Sequence, residues 1–129
     1  MWKIRGLFFM LLWLVLAAVA SAGTLERRSV AEVHALLNGA EQNVILLDVR
    51  TPEEYATGHL KGAVLYDYHG DDFERKLSQL PKEDTIVIYC ATGYRSIRAA
   101  RLLKKMGHTV IHMDGGIEVW KKHGYPVAK

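Results

Sequence analysis

The sequence predicts one α/β domain built on a mainly parallel sheet with helices on both faces. Apolar runs alternate with capped amphipathic segments, and those runs are continuously apolar rather than polar at every second position. Cys90, the candidate for chemistry, falls just after such a run, as do Asp48 and Asp114. In open parallel sheets, ligands bind beyond the carboxyl ends of the strands, so pattern and chemistry point to the same edge.

The first residues read as an export signal. Lys3 and Arg5 form a positive start, Leu7 to Val19 is continuously apolar, and Ala20-Ser21-Ala22 supplies small residues for cleavage before Gly23. A retained membrane anchor is the alternative, but Leu7 to Ala22 is short against the roughly 20 apolar residues of a spanning helix. The expected division is a leader at 1–22 and one domain at 23–129. That domain would be periplasmic or secreted and soluble after cleavage, or external and membrane-anchored if the leader stays. Losing Lys3 and Arg5 takes the formal charge from +3 to +1, which removes the case for nucleic-acid binding.

Ser29-Val30-Ala31-Glu32 is a capping box opening a helix that buries Val30, Val33, Leu36 and Leu37 and stops at Asn38-Gly39. Val44 to Leu47 reads as a buried strand ending at Asp48. Thr51-Pro52-Glu53-Glu54 is a second capping box with proline at the first helical position, and Gly58 is its stop. Ala63 to Tyr66 is a short strand. Asp71 to Leu80 carries Phe73, Leu77 and Leu80 at helical spacing before Pro81, and Thr85 to Tyr89 is the most strand-like run. Ile97 to Met106 is helical up to Gly107, Thr109 to Met113 is a strand, and Gly115-Gly116 leads into a last helix from Ile117 to about His123.

Cys90 is the single cysteine, placed between the run Ile86-Val87-Ile88-Tyr89 and the loop Ala91-Thr92-Gly93-Tyr94-Arg95-Ser96. A cysteine closing an apolar strand is commonly a small buried hydrophobe. Its company argues for a nucleophile instead: Gly93 permits a tight turn, Arg95 can grip an oxyanion with two parallel donors, and Thr92 and Ser96 offer hydroxyls. A helix start beside cationic groups lowers a thiol's pKa. One cysteine excludes an internal disulfide, and the absence of C-x-x-C argues against dithiol exchange.

Other polar residues have structural explanations. Asp48 and Arg50 are expected to pair at a strand end, Glu54 to serve its capping box, and His59 to pack. His34, His69, His108, His112 and His123 lack ligand-like spacing, so no metal site is expected. Arg98 would lie near the mouth of the site and Arg101 on a solvated face, while Trp120 belongs to the core.

Three segments together resemble the single-domain rhodaneses, or thiosulfate sulfurtransferases, of the exported type. They are D-V-R-T-P-E-E-Y from Asp48 with G-H-L-K-G-A from Gly58, C-A-T-G-Y-R-S from Cys90, and G-G-I-E-V-W from Gly115 with G-Y-P-V from Gly124. The resemblance implies a five-stranded, mainly parallel sheet, its remaining strand around Leu25. It implies a Cys90 persulfide that carries sulfane sulfur from thiosulfate, or a related donor, to cyanide or a thiol acceptor. Ala91, Thr92, Gly93, Tyr94, Arg95 and Ser96 would bind substrate, with no metal or organic cofactor. The alternative is a module that carries or senses persulfide without turnover. A cysteine-dependent phosphatase or arsenate reductase is less favoured, because those related loops place five residues between cysteine and arginine, where Cys90 and Arg95 enclose four.

Overall fold

A computed structural model describes residues 22–39 and 43–129. Apart from Ala22, the expected leader lies outside the described residues. Among those residues, no helix is long and apolar enough to cross a membrane.

The elements follow in the order β1 (Thr24–Arg28), α1 (Val30–Asn38), β2 (Val44–Asp48), α2 (Pro52–Ala56), β3 (Val64–Leu65), α3 (Phe73–Ser78), β4 (Thr85–Tyr89), α4 (Tyr94–Lys105), β5 (Thr109–Met113) and α5 (Gly116–Lys122). The five strands form one sheet in the order β1-β5-β4-β2-β3. Every pairing between them is parallel. β4, the most apolar strand, lies at the centre, where both faces are covered.

Alternation along the strands sends side chains to two cores. On one face Leu47, Ile86, Ile88 and Val110 pack against Phe73 and Leu77 of α3 and Ala99 and Leu103 of α4. On the other, Leu46, Val87, Tyr89 and Ile111 pack against Val30 and Val33 of α1 and Ile117 and Trp120 of α5, with Tyr55 of α2 at the margin. Both capping boxes form as expected. Ser29 Oγ accepts from Glu32 N and Thr51 Oγ1 accepts from Glu54 N, each glutamate returning a contact to its cap.

The structure shifts several boundaries. α4 starts at Tyr94 rather than Ile97, because Gly93, at φ 110°, turns the chain straight into the helix without a side-chain cap. α3 is shorter than the expected 71–80, running Phe73–Ser78, although Leu80 beyond it stays buried. β1 departs from the rule of apolar strands. Its sequence, TLERR, is polar and largely exposed because it is an edge strand, held by β5 on one side only.

The inner end of β2 carries a buried ion pair. Arg50 is 2% exposed and Asp48 is fully buried; Arg50 Nη2 donates to Asp48 Oδ2 at 2.8 Å and Nε to Oδ1 at 3.0 Å. Tyr89 Oη donates to the same carboxylate at 2.6 Å and accepts from the backbone N–H of Leu60. Burial beside that carboxylate drives the Tyr89 phenol well above its usual range, so it remains a donor. Arg50 also donates to the carbonyls of Glu54 and Gly58, which ties the α2 segment to the sheet. The structural reading of this pair holds. Asp48→Ala would strand a buried guanidinium and is expected to cost about 3–5 kcal/mol in urea unfolding; a loss under about 1 kcal/mol would show that the pair does not hold the fold.

Candidate active site

Cys90 ends β4 and is 1% exposed. A sulfur so far from water needs donors from the protein, and the following loop provides them. Gly93 N–H lies 3.1 Å from Sγ, Ser96 N–H 3.4 Å and Ser96 Oγ 3.3 Å. Burial works against the thiolate, yet these donors and the N–H of Thr92 outweigh it, and the thiol pKa is lowered. The N-terminal end of α4, twelve residues long, adds its partial positive charge at the same place.

Backbone N–H groups can turn inward only if the loop carbonyls are satisfied elsewhere. Ile117 N–H donates to Cys90 O at 2.9 Å and Glu118 N–H to Ala91 O at 3.1 Å, so the first turn of α5 grips the outside of the loop. A Cβ on Gly116, which has φ 66°, would collide with the Ala91 carbonyl. The glycine pair read from the sequence as a lead-in to a helix is therefore also the clamp of the cysteine loop.

The expected ring from Ala91 to Ser96 divides by role. Thr92, Gly93 and Ser96 face the sulfur, Ala91 anchors the loop through its carbonyl, and Tyr94 forms an exposed rim. Arg95 corrects an expectation. Its Nη1 and Nη2 hold Glu54 Oε1 and Oε2 at 2.7 and 2.9 Å, so the two parallel donors close on a carboxylate of the protein instead of standing open. The cation still bears on Cys90, which helps to keep the guanidinium charged. Glu54 thus does more than cap α2. Its pairing with Arg95, 41 residues away, leaves no trace in local spacing.

Behind Ser96 lies a residue the sequence placed only as a strand histidine. His112, 1% exposed, brings Nε2 to 2.7 Å from Ser96 Oγ and Nδ1 to 2.8 Å from Asp114 Oδ1. Arg27 of β1 donates to that same carboxylate oxygen at 3.0 Å. The alternation of β5, with Val110 facing α4, was the one available signal that His112 and Asp114 share that face.

At the rim, Arg98 Nη1 donates to Tyr94 Oη at 3.1 Å, with the guanidinium 5.6 Å from the ring centroid. Arg98 lies near the mouth as expected. Arg101, expected to be simply solvated, also lines an open groove of about 680 Å³ with Arg98, Tyr68, Phe73 and Leu102. Among the described residues, no group of three His, Cys, Asp or Glu side chains is placed to hold a metal ion. His59 packs: its ring stacks on Tyr55 at 3.8 Å between centroids.

The chain is similar to known proteins in sequence and in fold. A family model for the rhodanese-like domain matches residues 29–123. A sulfurtransferase of Allochromatium vinosum is 37% identical over 87 residues, covering 67% of this chain and 79% of its own. The thiosulfate sulfurtransferase GlpE of Stutzerimonas stutzeri is 30% identical over 97 residues, covering 74% and 83%. In a crystal structure, a rhodanese-related protein of Thermoplasma volcanium matches with a TM-score of 0.71 at 25% identity, over 80% of this chain and 97% of that one.

The Glu54–Arg95 pair has a pH signature. Arg95 holds the Glu54 carboxyl at about 2, below its usual 4.5, so the stability it contributes is complete above pH 4.5 and lost as pH falls toward 2. Glu54→Gln should lower the urea midpoint at pH 7 and flatten its decline over that acid window. Parallel declines in the two proteins would mean that the pair does not form.

Proposed function

The chain belongs to the rhodanese-like sulfurtransferase family, and we propose that it moves sulfane sulfur from thiosulfate, or a related donor, through a persulfide on Cys90. The acceptor is cyanide or a thiol. The observation that carries this reading is the buried sulfur of Cys90 ringed by the N–H groups of Thr92, Gly93 and Ser96.

The Cys90 thiolate attacks the outer sulfur of thiosulfate. A sulfur–sulfur bond forms to Cys90 as the bond to the sulfite group breaks, and sulfite leaves with the electron pair. Three negative charges enter the step and three leave it. The terminal persulfide sulfur then occupies the ring of donors, which act as an oxyanion hole does toward developing charge. Cyanide takes that sulfur through its carbon lone pair, leaving as thiocyanate and restoring the thiolate; a thiol acceptor becomes a persulfide in the same way.

Several features support sulfur over phosphorus. The four-residue spacing between Cys90 and Arg95 makes a small ring, and the Arg95 fork is already closed on Glu54. Tyr94 and Arg98 would meet the donor and acceptor at the rim. The leader-like start of the chain supports a site of action outside the cytoplasm, periplasmic or secreted, with a membrane contact only if that segment is retained.

Intact mass tests the reading. Reduced protein given thiosulfate without acceptor should gain one sulfur atom, lose it on adding cyanide, and show no gain in Cys90→Ser. A folded protein whose Cys90 is alkylated by iodoacetamide yet gains no sulfur would overturn it. A stable adduct that cyanide removes only slowly would favour a persulfide-carrying module over an enzyme with turnover.

A further inference from the structure

A thiol that is 1% exposed has little water to accept its proton, yet the reaction proposed above needs the thiolate. The Ser96 hydroxyl has one hydrogen and three acceptors within reach: Cys90 Sγ at 3.3 Å, the Gly93 carbonyl at 3.2 Å and His112 Nε2 at 2.7 Å. Which one receives it depends on the histidine. Asp114 can only accept, so its contact at 2.8 Å assigns a proton to His112 Nδ1. In the neutral ring Nε2 is then an acceptor, and it draws the Ser96 hydrogen away from the sulfur. In the imidazolium Nε2–H donates to Ser96 Oγ instead, and the hydroxyl hydrogen turns to Cys90.

We propose that His112 is a positioning residue that takes the Cys90 proton through Ser96, so that ionisation of the thiol and the turning of the Ser96 hydroxyl toward it are one event. The Cys90 S–H passes its proton to Ser96 Oγ as the Ser96 proton moves to His112 Nε2. One S–H bond breaks, one N–H bond forms, and the hydroxyl ends with a hydrogen aimed at the thiolate. Asp114 holds the tautomer and faces the imidazolium charge, while Arg27 moderates that carboxylate from β1.

The charged surroundings suit a proton acceptor. The ring faces Asp114 beyond its own strand, feels Arg27 of β1 through that carboxylate, and reaches Cys90 beyond β4 only through Ser96. From α4 it meets the neutral Ser96, with Arg95 of that helix already paired to Glu54. Burial lowers the His112 pKa more than Asp114 raises it, which favours the neutral resting ring, whose Nε2 lone pair faces Ser96 Oγ.

The proposal rests on Cys90 being the nucleophile, but its test does not require sulfur transfer. The rate of Cys90 alkylation by iodoacetamide against pH reads the thiolate directly. Ser96→Ala and His112→Asn should each move the profile to higher pH by about one to two units, the order of one hydrogen bond to a charged group. Because the two groups act in series, the double variant should move it no further than either single one. Asp114→Asn, at a half-exposed position, should shift it in the same direction without burying a new group, and serves if His112→Asn does not fold. In wild type, ¹⁵N NMR should show the Nδ1–H tautomer while the thiol is protonated. A shift with Ser96→Ala but none with His112→Asn or Asp114→Asn would overturn the proposal, as would additive shifts. Persulfide failing to form while these shifts appear would instead count against the sulfur-transfer reading alone.

Discussion

A sulfur withdrawn almost wholly from water must have its charge met by protein donors, and the rest of the site follows from that requirement. Backbone N–H groups can converge on Cys90 only because the carbonyls of Cys90 and Ala91 face the other way, into the first turn of α5. That turn can approach so closely only because residue 116 has no side chain. The cradle is thus a contact between two loops at the carboxyl ends of β4 and β5, neighbours in the sheet. Fixed donors of this kind need no reorganisation when charge appears, which is the property the proposed sulfur chemistry uses.

Charge reaches the cradle along two routes, one from each face of the sheet. On the α1/α5 face the buried Asp48–Arg50 pair with Tyr89 fastens the α2 segment through the carbonyls of Glu54 and Gly58. Glu54, so placed, orients Arg95 beside the loop. On the α4 face Ser96 connects Cys90 to His112, Asp114 and Arg27. The first route ends in a permanent charge pair, since Arg95 holds the Glu54 carboxyl well below its usual range and is itself kept charged by Glu54. The second contains a histidine and can carry a proton. One route orients a fixed cation; the other can answer a change in the state of the sulfur.

Short-range features were the legible ones. Ser29 and Thr51 close their capping boxes with Glu32 and Glu54, as the spacing predicts, because cap and partner are three residues apart. Strands β4 and β5 fall where apolar β-branched runs place them. The polar edge strand β1 escaped pattern reading and was reached only through family likeness, since a strand covered on one side has no reason to be apolar. The winding of Tyr94 and Arg95 into α4 was missed too, because a glycine at positive φ starts that helix in place of a capping side chain.

The sequence by itself determined the class of fold, the strand-end position of Cys90, and a loop whose Gly93, Arg95 and Ser96 suit a reactive sulfur. Those properties depend on periodicity, turn chemistry and residue type within a few positions. Tertiary structure decided what each polar side chain faces. Glu54 meets Arg95 across 41 residues and Ser96 meets His112 across 16 because sheet order and register bring their elements together. No local pattern encodes those meetings: a side chain's partner depends on packing between distant segments, whereas its own helix or strand is written into its neighbours.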